Sequence, residues 1–152
     1  MFDARVLGAL PFAAGLPAPA LAELAGIARA QAFPAKAVIF REGVICPDLF
    51  VVEAGRVAIE MHVPGRGAVR VLTVGDGELL GWSALLGDGR MTATATAIDD
   101  TRLVVIPGNS LRDLCQRSHE VGWQVMQQVA KALSARLIAT RLQLLDLFAV
   151  NR

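Results

Sequence analysis

The chain has 152 residues, 54% of them hydrophobic, and a formal net charge of +1. This length suffices for one domain with its own core and is short for two, so the sequence predicts a single domain over residues 1–152. No run of about 18 apolar residues occurs, which argues against a membrane-spanning helix. A net charge so close to zero gives no bulk electrostatic attraction to nucleic acid.

The N-terminal segment is apolar and rich in small side chains, a composition that signal peptides share. Asp3, however, lies where a signal peptide has its basic region, and Pro11, Gly15 and Pro17 interrupt the apolar run. We therefore predict a cytoplasmic protein. Further along, residues 17–30 carry apolar side chains at helical spacing and predict a short N-terminal helix, which Phe33 and Pro34 end.

Short runs of Val, Ile and Leu, separated by turn residues, fill the chain from residue 37 to residue 106. This spacing is typical of an antiparallel barrel or sandwich. The turns at Gly43 and Gly55 are predicted to use positive φ, which glycine adopts without steric cost. The predicted strands lie near 37–41, 48–53, 56–62, 69–74, 92–98 and 102–106.

Helical periodicity returns beyond Pro107. Asn109 or Ser110 can cap a helix that runs to about Gln116, and a longer helix is predicted from about residue 120 to residue 148. One apolar strip of the long helix has heptad spacing and contains Met126, Ala130, Leu133, Leu137, Thr140, Leu144 and Leu147. A second strip contains Val125, Val129, Ile138, Leu142 and Leu145. One strip can cover the β structure while the other contacts a partner; a wholly intramolecular helix is the alternative.

The segment from Gly77 to Ala97, GELLGWSALLGDGRMTATATA, carries the strongest functional signal. It predicts a single helical turn from Ser83 to Leu86, a glycine-rich loop that holds Arg90, and an alternating strand. The first N–H groups of a helix have no intrahelical partner, so such a turn can hold an anion such as a phosphate.

This segment resembles the phosphate-binding cassette of cyclic nucleotide-binding domains, the family of the bacterial catabolite activator and of the regulatory subunits of cyclic-AMP-dependent kinase. The family pattern G-E-x-A-L-L, followed by a loop and R-[AST]-A-[TS]-V-x-A, compares with GWSALL at 81–86 and RMTATATA at 90–97. The family glutamate, which accepts the ribose 2′-hydroxyl, falls on Trp82. If Ala97 matches the final alanine, the family arginine falls on Met91, one residue after Arg90. The turns FREG at 40–43 and FVVEAGRV at 50–57 also resemble the family's glycine turns.

The resemblance implies an antiparallel jelly-roll β-roll over about residues 35–107, in a mainly β protein with an N-terminal helix and C-terminal helices over about 109–149. It also implies a homodimer through the long helix. The ligand-binding residues that it implies are Leu80, Gly81, Trp82, Ser83, Ala84, Arg90, Met91 and Thr92. Arg136 and Leu137 fall where the catabolite activator offers hydroxyl groups to the base.

Three of these positions have a second interpretation. Arg90 can pair with a phosphate or be a solvated loop arginine. Trp82 can stack on a purine or sugar, or it can fill the pocket as core. Thr92, with two further alternate threonines, can offer a hydroxyl to a ligand, although threonine is also simply favoured in strands.

Other chemistry has little support in the sequence. His62 and His119 are the only histidines and lack ligand-like spacing, so we expect no metal, no cofactor and no catalytic activity. Cys46 and Cys115 lie far apart and are predicted to be buried, reduced thiols. Bacterial transcription factors of this family continue into a helix-turn-helix, whereas this sequence ends at Arg152, so we expect no DNA reading by this polypeptide.

Two functions remain open at this point. The first is a regulatory sensor that binds a cyclic nucleotide or a related phosphorylated ligand and signals through its C-terminal helix. The second is a degenerate β-roll whose own side chains close the pocket, and which serves for dimerisation or protein interaction.

Overall fold

The computed structural model describes residues 2–150, with two short N-terminal helices, eight strands, a one-turn helix and two C-terminal helices. The helices are α1 (Ala4–Gly8), α2 (Ala18–Ile27), α3 (Ser83–Leu86), α4 (Gly108–Arg117) and α5 (His119–Val150). The strands are β1 (Arg29–Phe33), β2 (Val38–Phe40), β3 (Asp48–Ala54), β4 (Val57–Val63), β5 (Gly67–Val74), β6 (Leu79–Leu80), β7 (Thr94–Ala97) and β8 (Thr101–Pro107).

The strands form two four-stranded sheets, in the orders β1-β8-β3-β6 and β2-β7-β4-β5. Every paired strand is antiparallel to its neighbour. The prediction of an antiparallel jelly-roll with an N-terminal helix and a long C-terminal helix is therefore confirmed. Within the described residues, no helix is both long enough and apolar enough to cross a membrane.

The strand β8 explains how the two sheets share one roll. Leu103 and Val105 point into the interior between the sheets, while Val104 and Ile106 pack on the opposite face beneath the helices. All four side chains are fully buried. A strand that is covered on both faces reads as a continuous apolar run instead of an alternating one.

The N-terminal helix is shorter than predicted, and the strand that follows it was missed. Helix α2 ends at Ile27, and residues 29–33 form β1, with Arg29 paired to Val105 and Phe33 paired to Thr101. The side chains of β1 are mostly exposed and carry no apolar alternation, so its hydrogen bonds to β8 decide its conformation. The short elements α1 and β6 were also not predicted.

The alternate threonines were only partly placed correctly. Thr92 lies outside β7, which begins at Thr94. Within β7, Ala95 and Ala97 face the core while Thr94 and Thr96 lie on the half-buried outer face. The Thr94 hydroxyl accepts a hydrogen bond from the backbone N–H of Glu42 at 2.9 Å. This contact gives Thr94 a structural role.

The predicted cap of α4 is wrong. The helix begins at Gly108 with Pro107 at the N-cap position, and no side chain caps it. Pro107 takes the N-cap position predicted for Asn109 or Ser110, and its restricted φ fixes the backbone direction between β8 and the helix. The glycine turns, in contrast, are as predicted, with φ of +80° at Gly43 and +121° at Gly55.

The long helix α5 packs on the domain mainly along its first half, and Arg136 and Gln143 add hydrogen bonds to the roll further along. Val121, Val125 and Val129 are buried, whereas residues 141–149 are all exposed. The second predicted strip is therefore divided, because Val125 and Val129 cover the core while its later members do not. Large apolar side chains exposed along α5 are Trp123, Met126, Leu137, Ile138, Leu142, Leu144, Leu145, Leu147 and Phe148.

Candidate functional site

Gly81 fixes the path of the chain into the cassette. Strand β6 pairs with β3 through Leu80 and Phe50, and the chain then turns at Gly81 with φ of +80°. A Cβ atom there would lie 3.1 Å from the carbonyl oxygen of Asp48 and 3.2 Å from the Phe50 ring. Only glycine meets both conditions without strain. The turn places α3 beside the beginning of β3.

The loop after α3 is held by main-chain hydrogen bonds. The N–H groups of Gly87 and Gly89 both donate to the carbonyl of Ser83 at 3.0 Å, and the Cys46 N–H donates to the carbonyl of Gly89 at 2.8 Å. The Ala84 N–H donates to the carbonyl of Gly81. The N–H groups of Leu85 and Leu86 both donate to the carbonyl of Trp82, so three of the four N–H groups of this helix are already satisfied by the protein.

A small cavity lies between the cassette, the roll interior and α5. Its volume is about 20 Å³, which is enough for about one water molecule. Pockets for small organic ligands occupy roughly 300–1,000 Å³. In this structure the cassette is closed. The cavity is lined by Phe40, Ile59, Leu80, Gly81, Trp82, Ser83, Met91, Thr92, Ala93 and Arg136.

Six of the eight predicted site residues line this cavity, but Ala84 and Arg90 do not. Arg90 is exposed, and its Nη1 donates to the carbonyl of Gly43 at 2.6 Å. Met91 is buried instead, because successive residues of an extended segment face opposite sides. Of the two interpretations of Arg90, the geometry favours a loop arginine that ties the cassette to the Gly43 turn.

The cation of the cavity comes from α5. The Arg136 guanidinium carbon lies 4.0 Å from the centroid of the Trp82 ring. Its Nη2 donates to the carbonyl of Leu79 at 2.7 Å. Among residues 2–150, no carboxylate lies within salt-bridge distance of this group. Burial lowers the pKa of Arg136 to about 10, although the negative charge of Glu78 opposes this shift.

Arg136 was noticed in the sequence only as a departure from the hydroxyl-bearing pattern of the family. Its role as the charged wall of the cavity was missed. The sequence offered two signs: a tryptophan at the position of the family's acid, and an arginine at the position of α5 that faces the cassette. Recognising the pair required knowing that α5 passes over Trp82.

Trp82 and Met91 both line the small cassette cavity with bulky side chains. Trp82 is half-buried and packs against the core under the helices, and Met91 is buried in the roll interior. Of the two interpretations of Trp82, the geometry favours a side chain that fills the pocket. It also covers one face of the Arg136 guanidinium.

The metal-ligating side chains and the two cysteines were the remaining candidates. In the part of the chain that the structure describes, no three His, Cys, Asp or Glu side chains come together as a metal site. Cys46 and Cys115 are both free and half-buried, less enclosed than predicted. Burial raises the pKa of each thiol, which keeps both in the unreactive protonated form.

An antiparallel roll with a helical cassette on one side and a long helix packed against it is the architecture of a ligand-sensing regulatory module. Comparison with known proteins gives the same class. The sequence model described as "Cyclic nucleotide-binding domain" matches residues 30–118, which is more than half of the chain. The chain therefore belongs to the cyclic nucleotide-binding domain family, a family of ligand-sensing regulatory modules.

Individual relatives agree with this assignment. The cyclic AMP receptor protein of Thermus thermophilus is 32% identical over 116 residues, which are 76% of this chain and 49% of that protein. The crystal structure of the Thermus thermophilus catabolite activator protein superposes with a TM-score of 0.72 at 27% identity, covering 91% of this chain and 63% of that one. A cyclic nucleotide-binding domain from Methylobacillus flagellatus shares the fold with a TM-score of 0.79 at 20% identity, covering 93% of this chain and 80% of that one. This chain spans about half the length of the Thermus thermophilus receptor.

Proposed function

We propose that this chain is a regulatory sensor whose cassette pocket binds a small anionic ligand, a cyclic nucleotide or a related phosphorylated molecule. In this proposal Arg136 supplies the positive charge that the family takes from the cassette, and Arg90 does not. The observation that carries the proposal is that the Arg136 guanidinium lines the cavity, half-buried and with no carboxylate partner among residues 2–150.

The energetics of a buried cation support an anion at this point. Removing a charge from water is costly unless a counter-charge or several hydrogen bonds compensate it. Arg136 has five N–H donors, and its one hydrogen bond to a described residue goes to the Leu79 carbonyl. A phosphate oxygen would accept charge-assisted hydrogen bonds from the remaining donors. Arg136 is therefore prepared for an anion that the described residues do not themselves provide.

The same contact would couple the ligand to the long helix. Trp82 belongs to the cassette and Arg136 to α5, so the pair joins the two elements directly. A nucleotide cannot fit in about 20 Å³, and Trp82 must move aside to admit one. Its displacement removes the ring from the guanidinium and thereby changes how α5 sits on the roll.

Calorimetric titration with cyclic AMP, cyclic GMP and a cyclic dinucleotide tests this proposal. We expect Arg136→Gln to weaken ligand binding about tenfold to a hundredfold, because a hydrogen bond to a charged group contributes about 1.5–3 kcal/mol. Arg90→Gln is the matched control, since it removes an arginine of the same cassette that lies outside the cavity. Loss of binding in the Arg90 variant, with none in the Arg136 variant, would place the anion at Arg90 instead.

The second function, a self-closed module for protein interaction, is favoured by the small cavity and by the burial of Met91. The variant Trp82→Glu separates the two functions, because it introduces the carboxylate that the family uses for the ribose hydroxyl. A sensor should bind a cyclic nucleotide more tightly after this change. A self-closed module should bind none of the three nucleotides, with or without the substitution.

We also propose that α5 pairs with a second copy of this chain. The heptad strip contains Leu137, Leu144 and Leu147, which are all more than half exposed in the second half of the helix. Such a strip is the seam of a coiled coil. In this arrangement the sensor would pass ligand occupancy across the dimer through the helix that carries Arg136.

A further inference from the structure

A second and larger cavity lies beneath α5, on the side of Arg136 away from the roll interior. Its volume is about 280 Å³, against about 20 Å³ for the cassette cavity. The N-terminal segment, the end of β5, the turn before β6 and the middle of α5 enclose it. Arg136 lines both cavities and so separates them. No residue of the cassette loop after Gly81 contributes to its wall.

The floor of this cavity is apolar and its two sides carry opposite charge. Phe12, Leu72 and Leu79 supply apolar surface. Glu78 lies on the roll side, while Lys131 lies on the helix side. Asp76 adds a second carboxylate near Glu78. The cavity therefore has an apolar floor, one negatively charged side and one positively charged side.

The charged groups are positioned but not paired with one another. Oε1 of Glu78 accepts the N–H of Gly75 at 3.0 Å, which holds its carboxylate in place. Within residues 2–150, neither Glu78 nor Lys131 forms a salt bridge. Glu78 and Lys131, both exposed, thus line the same cavity without neutralising each other.

We propose that this cavity binds a small zwitterion with an apolar body, of which an apolar α-amino acid is the simplest example. The ligand ammonium would pair with Glu78, the ligand carboxylate with Lys131, and the side chain would cover Phe12 and Leu72. A simple anion would meet the carboxylates of one wall, and a simple cation would meet Lys131 and Arg136 on the other. Only a ligand that carries both charges satisfies both walls.

Isothermal titration of the full chain with L-leucine and L-phenylalanine tests the ligand class. Leucinamide, which lacks the carboxylate, and 4-methylpentanoate, which lacks the ammonium, are matched probes with the same apolar body. We expect both amino acids to bind and each probe to bind at least about tenfold more weakly, since each loses one charged contact. Equal binding of either probe, or no binding of the amino acids up to about 10 mM, would overturn the proposal.

Two variants locate the site. Glu78→Gln keeps the oxygen that accepts the Gly75 N–H and removes only the charge, and Lys131→Gln removes the opposite charge. Both should abolish amino-acid binding, while Glu120→Gln, on an exposed position of α5 outside the cavity, should not change it. Unchanged binding in the first two variants would exclude this cavity.

This proposal is independent of the cassette ligand. Lys131 does not line the cassette cavity, so cyclic-nucleotide titration of Lys131→Gln should match the unmodified protein. Glu78→Gln is left out of this comparison, because the charge of Glu78 acts on Arg136. Failure of the amino-acid titration with intact nucleotide binding would remove only the second site. The reverse result would remove only the cassette ligand.

Discussion

The guanidinium carbon of Arg136 lies 4.0 Å from the centroid of the Trp82 ring, so a residue of the long helix covers the residue that replaces the family's acid. A desolvated cation over an indole face is attracted by the ring quadrupole. In this chain the contact joins the cassette directly to α5. The roll and the helix are therefore already in contact in the closed cassette.

A double-mutant cycle measures this contact. Trp82→Leu and Arg136→Met, made singly and together, should show an interaction free energy of about 0.5–2 kcal/mol in urea unfolding, because each single change removes the cation–π contact. The comparison cycle pairs Trp82→Leu with Arg90→Met, whose side chain lies outside the cavity. An interaction energy of zero between Trp82 and Arg136 would mean that the two side chains are merely adjacent.

Assembly through α5 can be tested with two neighbouring residues of equal exposure. Leu137 and Ile138 are both 53% exposed, but only Leu137 lies on the heptad strip. Leu137→Glu places a charge in the seam and should shift the sedimentation coefficient from dimer to monomer. Ile138→Glu should leave the dimer intact. Dissociation by Ile138→Glu alone would assign the interface to the second strip, and an unchanged mass in both folded variants would remove α5 from it.

Substitution of Gly81 should be costlier than substitution of Gly43, although both have φ of +80°. A Cβ at Gly43 meets nothing within 4 Å, so Gly43→Ala should cost about 1–2 kcal/mol from backbone strain alone. Gly81→Ala should cost about 1–3 kcal/mol more, because the new methyl group contacts Asp48 and Phe50. Urea denaturation of the two variants gives the difference directly. Equal losses would show that the Gly81 turn can shift to accommodate a side chain.

The Arg56–Asp99 pair gives a prediction for pH. Arg56 Nε donates to Asp99 Oδ2 at 2.7 Å and its Nη2 donates to Oδ1 at 3.1 Å. This hydrogen bonding lowers the pKa of the Asp99 carboxyl below its ordinary value of 3.8. The pair therefore stabilises the fold above that value, and the stabilisation is lost as pH falls through the lowered pKa of the folded state.

Carboxyl NMR titration checks this prediction. Arg56→Ala should raise the pKa of Asp99 toward 3.8. Arg66→Ala, in the exposed turn between β4 and β5, removes an arginine without an ion pair among the described residues and should leave the pKa of Asp99 unchanged. The same pKa of Asp99 in all three proteins would show that the pair is dissociated in solution.

Most of the roll could be predicted from the sequence, since its strands carry their own signal. The runs in β3, β4 and β8 are rich in β-branched residues and are bounded by turns, and Gly55 marks a turn that only positive φ can make. Strand β1 could not be predicted in this way, because its side chains are mostly exposed and only its pairing with β8 makes it a strand.

The candidate site likewise has residues that the local sequence could place and residues that depend on distant contacts. The motif by itself indicated the cassette, and six of its eight named residues do line one cavity, because residues close in sequence around a tight turn remain close in space. The direction of Arg90, in contrast, depends on the carbonyl of Gly43, which lies 47 positions away in the chain.

The sequence by itself determined the roll, the cassette and the long helix, because apolar periodicity and glycine turns are local properties. Only the tertiary structure decided which arginine faces the cavity, since Arg136 comes 54 positions after Trp82 and reaches it because Val121, Val125 and Val129 seat α5 on the domain. The burial of those three side chains fixes where the helix crosses the cassette. No local sequence pattern could therefore place the Arg136 guanidinium in the lining of the cassette cavity.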